Sequence, residues 1–489
     1  MNFVSLLRGI VRRFPDKEAV VDGTRHFRFC DFWRQIAAVA SVYQDLGVEV
    51  GDRVLILLPN SPEFLFFHFA ALKMGAVSVP VNPEYRSWEL GQMIGDCKPR
   101  LFVSNDLWLR DNSPGMERRL AGIRILRADQ LNYDLEHGDD KVLSLPSTAT
   151  ASINYSYFGG GSPRGAMLTH GNYIYAATGY ARHQGFTPAE RFLIILPMAH
   201  VYALSGCINS GLIRGGTLVI LHRHTPKPIF RTIQENAITV LSTVPVVFEY
   251  LSRFPQKDRY DRSSLRLCVT GGDFMPATVQ QQVELALTAP VVQGYGLTEC
   301  LPIICNPPNG INKRGTLGIA GRKDIGLRIV GPKGDDVAPG EVGEIAIRSP
   351  TTMRGYFGRP QETAEVLRGG WLYTGDWGFL DEDGYLHFCG LRKRILNIYG
   401  NKVDPLEVAN CLLSHPAVAE AKVKGASVVG PRLQQELEIS ADVKLKDGKT
   451  ASEEELRAFL RQRLAAYKVP GRILLRERPE VGPPDWTNA

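Results

Sequence analysis

The sequence lacks an apolar run long enough to cross a bilayer. Its two most apolar windows, residues 54–58 and 64–72, are far shorter than the roughly twenty residues that a spanning helix needs, and the second contains His68. The N-terminus also lacks the apolar core of a secretory signal, because Arg8 places a charge within the first ten residues. These absences predict a cytoplasmic protein without a membrane span.

Cysteine is sparse, and its spacing suggests no pairing. The chain has no Cys-x-x-Cys pair and no zinc-like combination of cysteine with histidine; its eight cysteines are Cys30, Cys97, Cys207, Cys268, Cys300, Cys305, Cys389 and Cys411. Scattered cysteines of this kind are typical of reduced, mostly buried thiols. The pattern therefore favours the cytosol.

A strong excess of charge of either sign is also missing. The chain has 57 basic and 51 acidic side chains among 489 residues, which leaves a net charge of +6. This mild excess suits small anionic substrates such as nucleotides and gives no reason to expect nucleic acid as a partner. A chain of this length exceeds a single hydrophobic core, so we expect a large body and at least one smaller domain.

The pattern of elements predicts an α/β fold. A strand at residues 54–58, a helix at 64–74 and a strand at 76–81 form a βαβ unit, which indicates a parallel sheet. Further strand candidates alternate with helical patterns at residues 192–196, 217–221, 240–244 and 265–269. From about residue 315 to 390, short strands separated by Gly and Pro predict an antiparallel, barrel-like subdomain. A basic cluster and a compact α+β segment complete the chain.

Residues 293–299 form the most informative stretch of the sequence. Tyr295 offers a flat face for a base, Thr298 a hydroxyl for a phosphate oxygen, and Glu299 a carboxylate suited to magnesium. Two glycines among them permit close approach of the backbone to a ligand. The stretch predicts a nucleotide site, and an ordinary turn after a buried strand is the alternative.

Four motifs that occur in one order resemble the superfamily of adenylate-forming enzymes, which includes acyl-CoA synthetases, luciferases and peptide-synthetase adenylation domains. The motifs lie at residues 155–170, 196–200, 270–299 and 373–376, and the resemblance covers nearly the whole chain. It implies an N-terminal AMP-binding domain of stacked α/β sheets at residues 1–393. It also implies a small α+β domain at residues 394–489, which swings between a pose for adenylation and a pose for thioester formation.

The first motif contains a glycine-rich loop at residues 155–165, which resembles the family's phosphate loop. The resemblance implies that Gly159, Gly160 and Gly161 expose backbone N–H groups to a polyphosphate. The loop departs from the family because aromatic residues and glycines replace hydroxyl side chains. Arg164 replaces the family's lysine and still supplies a positive charge.

The other motifs supply the remaining expected contacts. The resemblance implies that His200 lies at the entrance to an acyl pocket and that Tyr295 stacks on adenine. By the same resemblance, Thr298 contacts the α-phosphate, Glu299 binds Mg²⁺, and the Asp376 carboxylate accepts hydrogen bonds from the ribose hydroxyls. His200, Thr298 and Glu299 are thus the expected catalytic residues.

The stretch after residue 390 resembles the family's hinge. Arg394 occupies the hinge position, and Leu391 stands where the family has a nucleotide-contacting arginine, so Arg392 would have to substitute for it. Gly400 would border a channel for pantetheine. The expected cofactor-binding set is Gly159, Gly160, Gly161, Arg164, Gly271, Gly272, Asp273, Tyr295, Gly296, Asp376, Arg392 and Gly400.

The end of the chain departs most from the family. Residues 467–470 match the family's lead-in, but no lysine follows Lys468, where the family presents the lysine that serves adenylation. Three hypotheses follow: a complete ATP-dependent carboxylic acid–CoA ligase, an enzyme that performs mainly the thioester step on a supplied acyl-adenylate, and a non-catalytic nucleotide- or acyl-binding relative. The second hypothesis fits the departures best.

The resemblance also implies the small molecules and partners. They are ATP or the AMP moiety of an acyl-adenylate, Mg²⁺, a carboxylic acid, and coenzyme A or the pantetheine of an acyl carrier protein; a separate adenylating enzyme is a further candidate partner. The expected pocket stretches at residues 201–206, 244–250 and 270–274 are mostly apolar. They favour an aliphatic or aryl acid over an amino acid, although Glu249 lies in one of them.

Overall fold

A computed structural model of the protein describes residues 2–112, 116–131, 140–157, 161–222, 224–301, 304–391, 396–398, 401–429 and 435–476. The α-helices of these residues are α1 Phe3–Arg13, α2 Phe29–Asp45, α3 Pro62–Met74, α4 Ser87–Cys97, α5 Asp106–Asn112, α6 Glu117–Leu120, α7 His170–His183, α8 Ser210–Leu212, α9 Pro226–Glu235, α10 Pro245–Ser252, α11 Ala277–Leu287, α12 Pro360–Val366, α13 Pro405–Leu413 and α14 Glu453–Arg461. Short 3₁₀ turns occur at Ala128–Gln130, Lys257–Arg259 and Ala466–Lys468, and a π-helical segment spans Tyr202–Asn209.

The described residues of the first half of the chain form twelve strands. They are β1 Glu18–Asp22, β2 Arg25–Arg28, β3 Arg53–Ile56, β4 Val77–Pro80, β5 Leu101–Ser104, β6 Arg124–Arg127, β7 Thr150–Ser156, β8 Arg164–Thr169, β9 Arg191–Ile194, β10 Thr217–Ile220, β11 Val240–Thr243 and β12 Leu267–Thr270.

The second half holds the remaining strands of the described residues. They are β13 Val291–Tyr295, β14 Ile304–Cys305, β15 Ile319–Ala320, β16 Gly326–Val330, β17 Gly343–Arg348, β18 Leu367–Arg368, β19 Trp371–Leu380, β20 Leu386–Leu391, β21 Leu396–Ile398, β22 Asn401–Val403, β23 Val418–Val429, β24 Gln435–Leu445 and β25 Arg472–Leu475.

The body of the protein is built on two largely parallel sheets, as the βαβ pattern predicted. One sheet has nine strands in the order β15-β14-β13-β12-β11-β9-β10-β1-β2, and the other has six in the order β6-β5-β3-β4-β7-β8. Strands β9 to β13 pair with one another in parallel, with Val240 opposite both Phe192 and Leu267. The six-stranded sheet contains the predicted βαβ unit, in which β3 and β4 pair in parallel. The mixed α/β fold expected from the sequence is therefore confirmed.

Helix α3 shows how local signals fix an element of the core. The Ser61 side chain accepts a hydrogen bond from the Phe64 N–H, which caps the first turn, and Pro62 occupies a position where no N–H is needed. The helix ends at Gly75, whose φ of 80° is a left-handed conformation that glycine adopts readily. Residues along α3 are buried around its whole circumference, because the helix lies inside the main hydrophobic cluster.

The expected antiparallel region is a separate sheet. Strand β17 pairs with β16 and β19, and β19 also pairs with β18 and β20, all antiparallel. Strand β19 is ten residues long, and Asp376 near its middle contacts Tyr295 at the end of the parallel strand β13. The boundary predicted between residues 393 and 394 lies outside the described residues and stays a prediction, as does the mobility of the last domain.

The described part of residues 396–476 forms a C-terminal lobe with its own core. Strands β23, β24 and β25 form one sheet, and β21 and β22 form a hairpin. Buried residues of α13, α14 and this sheet share a hydrophobic cluster, against which Trp88 of α4 packs. Among the helices of the described residues, none is long and apolar enough to cross a membrane.

Candidate active site

A cavity of about 440 Å³ lies where the parallel strands of the nine-stranded sheet end. Residues that follow β9, β11, β12 and β13 line one wall, and residues of β7, β19 and the C-terminal lobe line the others. The carboxyl ends of parallel strands meet at one edge of a sheet, which brings distant parts of the chain together. The lining includes nine of the predicted site residues: His200, Gly271, Gly272, Asp273, Tyr295, Gly296, Thr298, Glu299 and Asp376.

Tyr295 and Asp376 meet across two sheets. The Tyr295 hydroxyl donates a 2.6 Å hydrogen bond to Asp376 Oδ2, so the last residue of β13 is bonded to the middle of β19. Burial, followed by the negative charge of Asp376, raises the pKa of Tyr295 well above its usual value, so the phenol keeps its proton. The expected adenine-stacking and ribose-binding residues are therefore adjacent.

Glu299 is held by two hydroxyl groups. Its Oε1 accepts hydrogen bonds from Ser156 Oγ at 2.5 Å and from the Tyr356 hydroxyl at 2.9 Å. Burial and the Glu299 charge raise the pKa of Tyr356, so this hydroxyl remains a donor. Sequence reasoning assigned no role to Tyr356, since it lies 57 residues from Glu299 and carries no local motif.

The donor set around Glu299 fits a magnesium ion that is bound chiefly by substrate. Among the described residues, no group of three or more His, Cys, Asp or Glu side chains could hold a metal by itself. Magnesium commonly keeps several waters and takes one or two protein carboxylates together with substrate phosphates. Glu299 supplies such a carboxylate at the cavity wall, and both hydroxyl donors bind the same oxygen, Oε1.

The π-helical segment at Tyr202–Asn209 begins at the cavity, and its first residue, Tyr202, lines it. His200 precedes this segment, and its Nδ1 accepts a hydrogen bond from the Tyr202 N–H. The Tyr202 ring packs against the backbone of Gly271, where a Cβ would lie 3.4 Å from Tyr202 Cζ. Val201, Val244 and Val247 add apolar surface.

Glu249, the acidic residue in one of the stretches expected to form the acyl pocket, lies outside the cavity. It is not among the residues that line the cavity, and its Oε2 pairs with Arg253 at 3.2 Å. The described lining contains no lysine or arginine side chain. Burial lowers the pKa of His224, another lining residue, so this imidazole is neutral at pH 7.

The glycine-rich loop contacts the C-terminal lobe. The Gly161 N–H donates a 2.7 Å hydrogen bond to Asp404 Oδ2, and the Tyr157 hydroxyl donates to Glu407 Oε1. Arg164 Nε pairs with Glu362 Oε2 at 2.5 Å. Neither Gly161 nor Arg164 is among the residues that line the cavity. Four other expected site residues, Gly159, Gly160, Arg392 and Gly400, lie outside the described residues, as does the hinge residue Arg394.

A buried ionic cluster joins the lobe to the body. Lys468 Nζ lies 2.6 Å from Glu89 Oε1 of α4 and 2.8 Å from Glu407 Oε2 of α13, and all three side chains are 0% exposed. The ammonium also lies 4.2 Å from the Tyr157 ring centroid and 4.9 Å from that of Tyr85. One ammonium group thus contacts carboxyl groups from both parts of the chain.

The cluster shifts the protonation of its members. Burial lowers the pKa of Lys468, but the attraction of Glu407 and Glu89 outweighs this effect, so its pKa lies well above the usual value. Burial raises the pKa of Glu407 to about 7. Little in the sequence indicates this cluster, because the hydrogen bond from the Arg86 N–H to Glu89 in a helix cap already accounts for a glutamate there.

The lobe also reaches the cavity directly. Asn401 of β22 and Tyr467 line it together with Asn82, Glu84 and Tyr85 of the body. A second part of the chain therefore contributes to the cavity wall.

Comparisons with known proteins agree with these features. Residues 7–357 match the family described as AMP-binding enzyme, and residues 407–480 match the AMP-binding enzyme C-terminal domain. A long-chain-fatty-acid–CoA ligase of Bacillus subtilis (strain 168) is 30% identical over 95% of this chain and 89% of its own length. A feruloyl-CoA synthase of an Amycolatopsis species is 33% identical over 96% of this chain and 94% of its own length.

Solved structures show the same architecture. The o-succinylbenzoate CoA synthetase (MenE) of Bacillus subtilis, a double mutant bound to a product analogue, superposes with a TM-score of 0.85 at 26% identity. The match covers 97% of this chain and 95% of that protein. Both the body and the C-terminal lobe therefore have counterparts in a CoA synthetase.

Replacing Lys468 with methionine should strongly destabilise the protein. The variant leaves Glu89 and Glu407 buried together without a cation, and breaking a buried pair in this way costs about 3–5 kcal/mol. Lys424→Met is the matched control, because Lys424 is 54% exposed and lies 3.4 Å from Asp442. The Lys424→Met substitution should lower the free energy of unfolding by less than about 1 kcal/mol. Urea titration gives the free energy of unfolding of each variant, and equal losses would contradict the importance of the cluster.

The stability of the protein should also depend on pH through Glu407. Its pKa is raised from 4.5 to about 7, so its contribution is fully present below about pH 4.5 and is lost as the pH rises through about 7. Glu407→Gln should remove the part of the pH-dependent loss of stability that Glu407 causes. Urea titrations between about pH 5 and pH 8 measure this loss. Glu420→Gln, at a 54% exposed side chain, should leave it unchanged. A decline of equal size in both variants would exclude Glu407 as its source.

Proposed function

Because this chain belongs to the AMP-binding enzyme family, we propose that it joins a carboxylic acid to the thiol of coenzyme A or of a carrier-protein pantetheine through an acyl-adenylate. The observation that carries this proposal is a single cavity with three kinds of lining. Tyr295, Thr298, Glu299 and Asp376 form a polar end, apolar side chains form another, and Asn401 contributes from the C-terminal lobe.

We assign the polar end to the adenylate. The Tyr295 ring would lie beside the adenine, with the backbone of residues 271–273 along its edge, and Asp376 would accept hydrogen bonds from the ribose hydroxyls. Thr298 would donate to the α-phosphate. Magnesium, when bound at Glu299, would supply positive charge that neutralises the phosphates.

The Glu299 carboxylate depends on its two hydroxyl donors for orientation. Ser156 and Tyr356 both bind Oε1, which leaves Oε2 as the oxygen for a ligand. A carboxylate fixed in this way needs little reorganisation when a cation arrives, which is the advantage of a preorganised polar site. Ser156 and Tyr356 are therefore positioning residues for the proposed metal contact.

The finer proposal is that adenylation is the slower half-reaction. Two groups of the described part of the glycine-rich loop that would grip a polyphosphate are engaged inside the protein: Gly161 with Asp404, and Arg164 with Glu362. The thioester step needs the proposed adenylate end and the wall contributed by the lobe, and described residues line the cavity at both. A complete ATP-dependent ligase is the second candidate, and the names of the CoA-ligase relatives favour it.

Separate assays of the two half-reactions distinguish these candidates. Pyrophosphate exchange into ATP with a panel of carboxylic acids measures adenylation, and AMP release from synthetic acyl-adenylates plus coenzyme A measures the thioester step. We expect the thioester step to be faster by about two orders of magnitude or more, the typical loss when a preorganised donor is missing. Exchange as fast as AMP release would establish the complete ligase, and no turnover in either assay would refute both.

The cavity also indicates the class of acid. Its described lining offers no lysine or arginine to a second carboxylate, and its acidic residues would repel one. An uncharged aliphatic or aryl body fits the surface formed by the π-helical segment and its neighbouring valines. The acid that we propose is therefore a monocarboxylic acid.

Matched pairs of acids test this selectivity. Glutarate and terephthalate should react at least about a hundredfold more slowly than their monomethyl esters, because burying an unpaired carboxylate is costly. Synthetic adenylates of the four compounds with coenzyme A, compared by kcat/KM, give the ratio independently of adenylation. Equal kcat/KM values for a dicarboxylic acid and its monomethyl ester would contradict an acyl pocket without a cationic side chain.

A further inference from the structure

Helix α7 brings a buried phenol, that of Tyr180, to the wall of the cavity. Tyr180 lines the cavity and is only 4% exposed. Among the residues that the structure describes, none forms a hydrogen bond with its hydroxyl. Buried hydroxyls in proteins normally have a partner, because an unpaired buried donor costs free energy. The position of Tyr180 in the cavity wall therefore points to a ligand as the partner.

The Tyr180 ring is held rigidly by the core. It packs edge to face against Phe186 with the ring centroids 6.0 Å apart, and Phe186 packs in the same way against Phe192 at 4.9 Å. All three rings belong to the main hydrophobic cluster. Because close packing fixes the ring, the hydroxyl has a fixed position, and a ligand has to bring its acceptor to that point.

The groups close to the Tyr180 hydroxyl are uncharged. Burial raises the pKa of Tyr180 well above its usual value, and the nearby Cys305, Tyr202 and Cys207 add to this shift. Burial also raises the pKa of the Cys305 and Cys207 thiols to about 12 each. The Tyr180 hydroxyl therefore keeps its proton and can donate a hydrogen bond. Such surroundings suit an uncharged oxygen as the acceptor.

Three other hydroxyl groups of the lining residues are less available to a ligand. The Tyr202 hydroxyl already donates a 3.0 Å hydrogen bond to the Val269 carbonyl oxygen. The hydroxyls of Thr243 and Thr270, which lie opposite each other on β11 and β12, have no partner among the described residues, but their oxygens are fully enclosed. Tyr180 is therefore the better candidate for a contact with the acyl group.

The walls of the cavity favour a flat acyl group. Its lining includes the rings of Tyr202, Phe274 and Phe388, and the last two lie 6.3 Å apart. Aromatic side chains provide flat apolar surfaces on which another ring can pack. An aromatic acid also holds a ring substituent at a constant distance from its carboxyl group, which costs less entropy on binding than ordering an aliphatic chain does.

We propose that Tyr180 is a specificity-determining residue, and that the acid is an aryl carboxylic acid with an uncharged oxygen substituent, such as a phenolic hydroxyl, far from its carboxyl group. The Tyr180 hydroxyl donates a hydrogen bond to this oxygen. An acid with a methyl group in its place leaves the donor unpaired and is selected against. This inference rests on the proposed function, since it places the acyl group of the adenylate in the same cavity.

Stable analogues of the adenylate measure this preference without turnover. The probes are acylsulfamoyl adenosines made from 4-hydroxybenzoate, 4-methylbenzoate, 4-hydroxycinnamate and 4-methylcinnamate, which form one short and one long pair. In at least one pair, the hydroxyl analogue should bind about tenfold more tightly than the methyl analogue, because the methyl group leaves the donor unpaired. Isothermal titration calorimetry gives each Kd. Ratios of Kd below about twofold in both pairs would overturn the inference.

Tyr180→Phe and a control on the same helix assign the preference to this hydroxyl. Tyr180→Phe keeps the ring and removes the donor, so the Kd ratio should fall to within about twofold of one. In the control, Tyr173→Phe, the lost hydroxyl lies 2.7 Å from Ser152 Oγ and outside the cavity lining, so the ratio should equal that of the parent. A ratio that Tyr180→Phe leaves unchanged would also overturn the inference.

Urea titration of the same variants tests whether the Tyr180 hydroxyl is unpaired in the free protein. Tyr180→Phe should unfold at the same urea concentration as the parent or at a higher one. Tyr173→Phe should unfold at a lower concentration, because it loses the hydrogen bond to Ser152. Equal losses of stability in the two variants would show that the protein itself satisfies the Tyr180 hydroxyl, which contradicts its assignment to a ligand.

Kinetics separate this inference from the proposed function. The true adenylates of the four acids, supplied with coenzyme A, give kcat/KM for thioester formation. Analogue binding with the expected ratio but without any thioester would refute the proposed function and support the role of Tyr180. Thioester formation with equal kcat/KM values in both pairs would support the proposed function and overturn the role of Tyr180.

Discussion

The position of the C-terminal lobe depends on one ammonium group. Lys468 lies between Glu89 of the body and Glu407 of the lobe, and neither carboxylate could be buried at this contact without it. The ammonium also lies close to the rings of Tyr157 and Tyr85, so Tyr157 connects the glycine-rich loop to the same positive charge. The cavity wall that Asn401 completes is therefore held in place by an interaction outside the cavity.

The body supplies the rest of the site through its topology. Parallel strands end at one edge, and the residues that follow β12 and β13 reach the cavity from there. The long strand β19 approaches from the antiparallel sheet, and the bond from Tyr295 to Asp376 ties the two sheets together. Neither sheet alone could bring the Tyr295 ring beside the Asp376 carboxylate.

Local signals in the sequence predicted much of this arrangement, because they act over a few residues. The βαβ unit, the end of α3 at Gly75 and the nucleotide stretch at residues 293–299 are of this kind. The hydroxyl of Tyr356 on Glu299 and the meeting of Glu89 with Lys468 depend on packing between distant segments, which no local pattern encodes. For the same reason, the loop motif predicts that the Gly161 N–H faces a phosphate, whereas in the structure it donates a hydrogen bond to a carboxylate of the lobe.

The buried cluster limits how freely the two parts of the chain can be exchanged with those of relatives. A foreign C-terminal lobe would need counterparts of Glu407 and Lys468, and the recipient body would need counterparts of Glu89 and Tyr157. A chimera that inherits two carboxylates without the lysine would bury uncompensated charge. Compatibility between lobe and body thus depends on these four residues. Their presence can be checked in any pair of sequences before a hybrid is made.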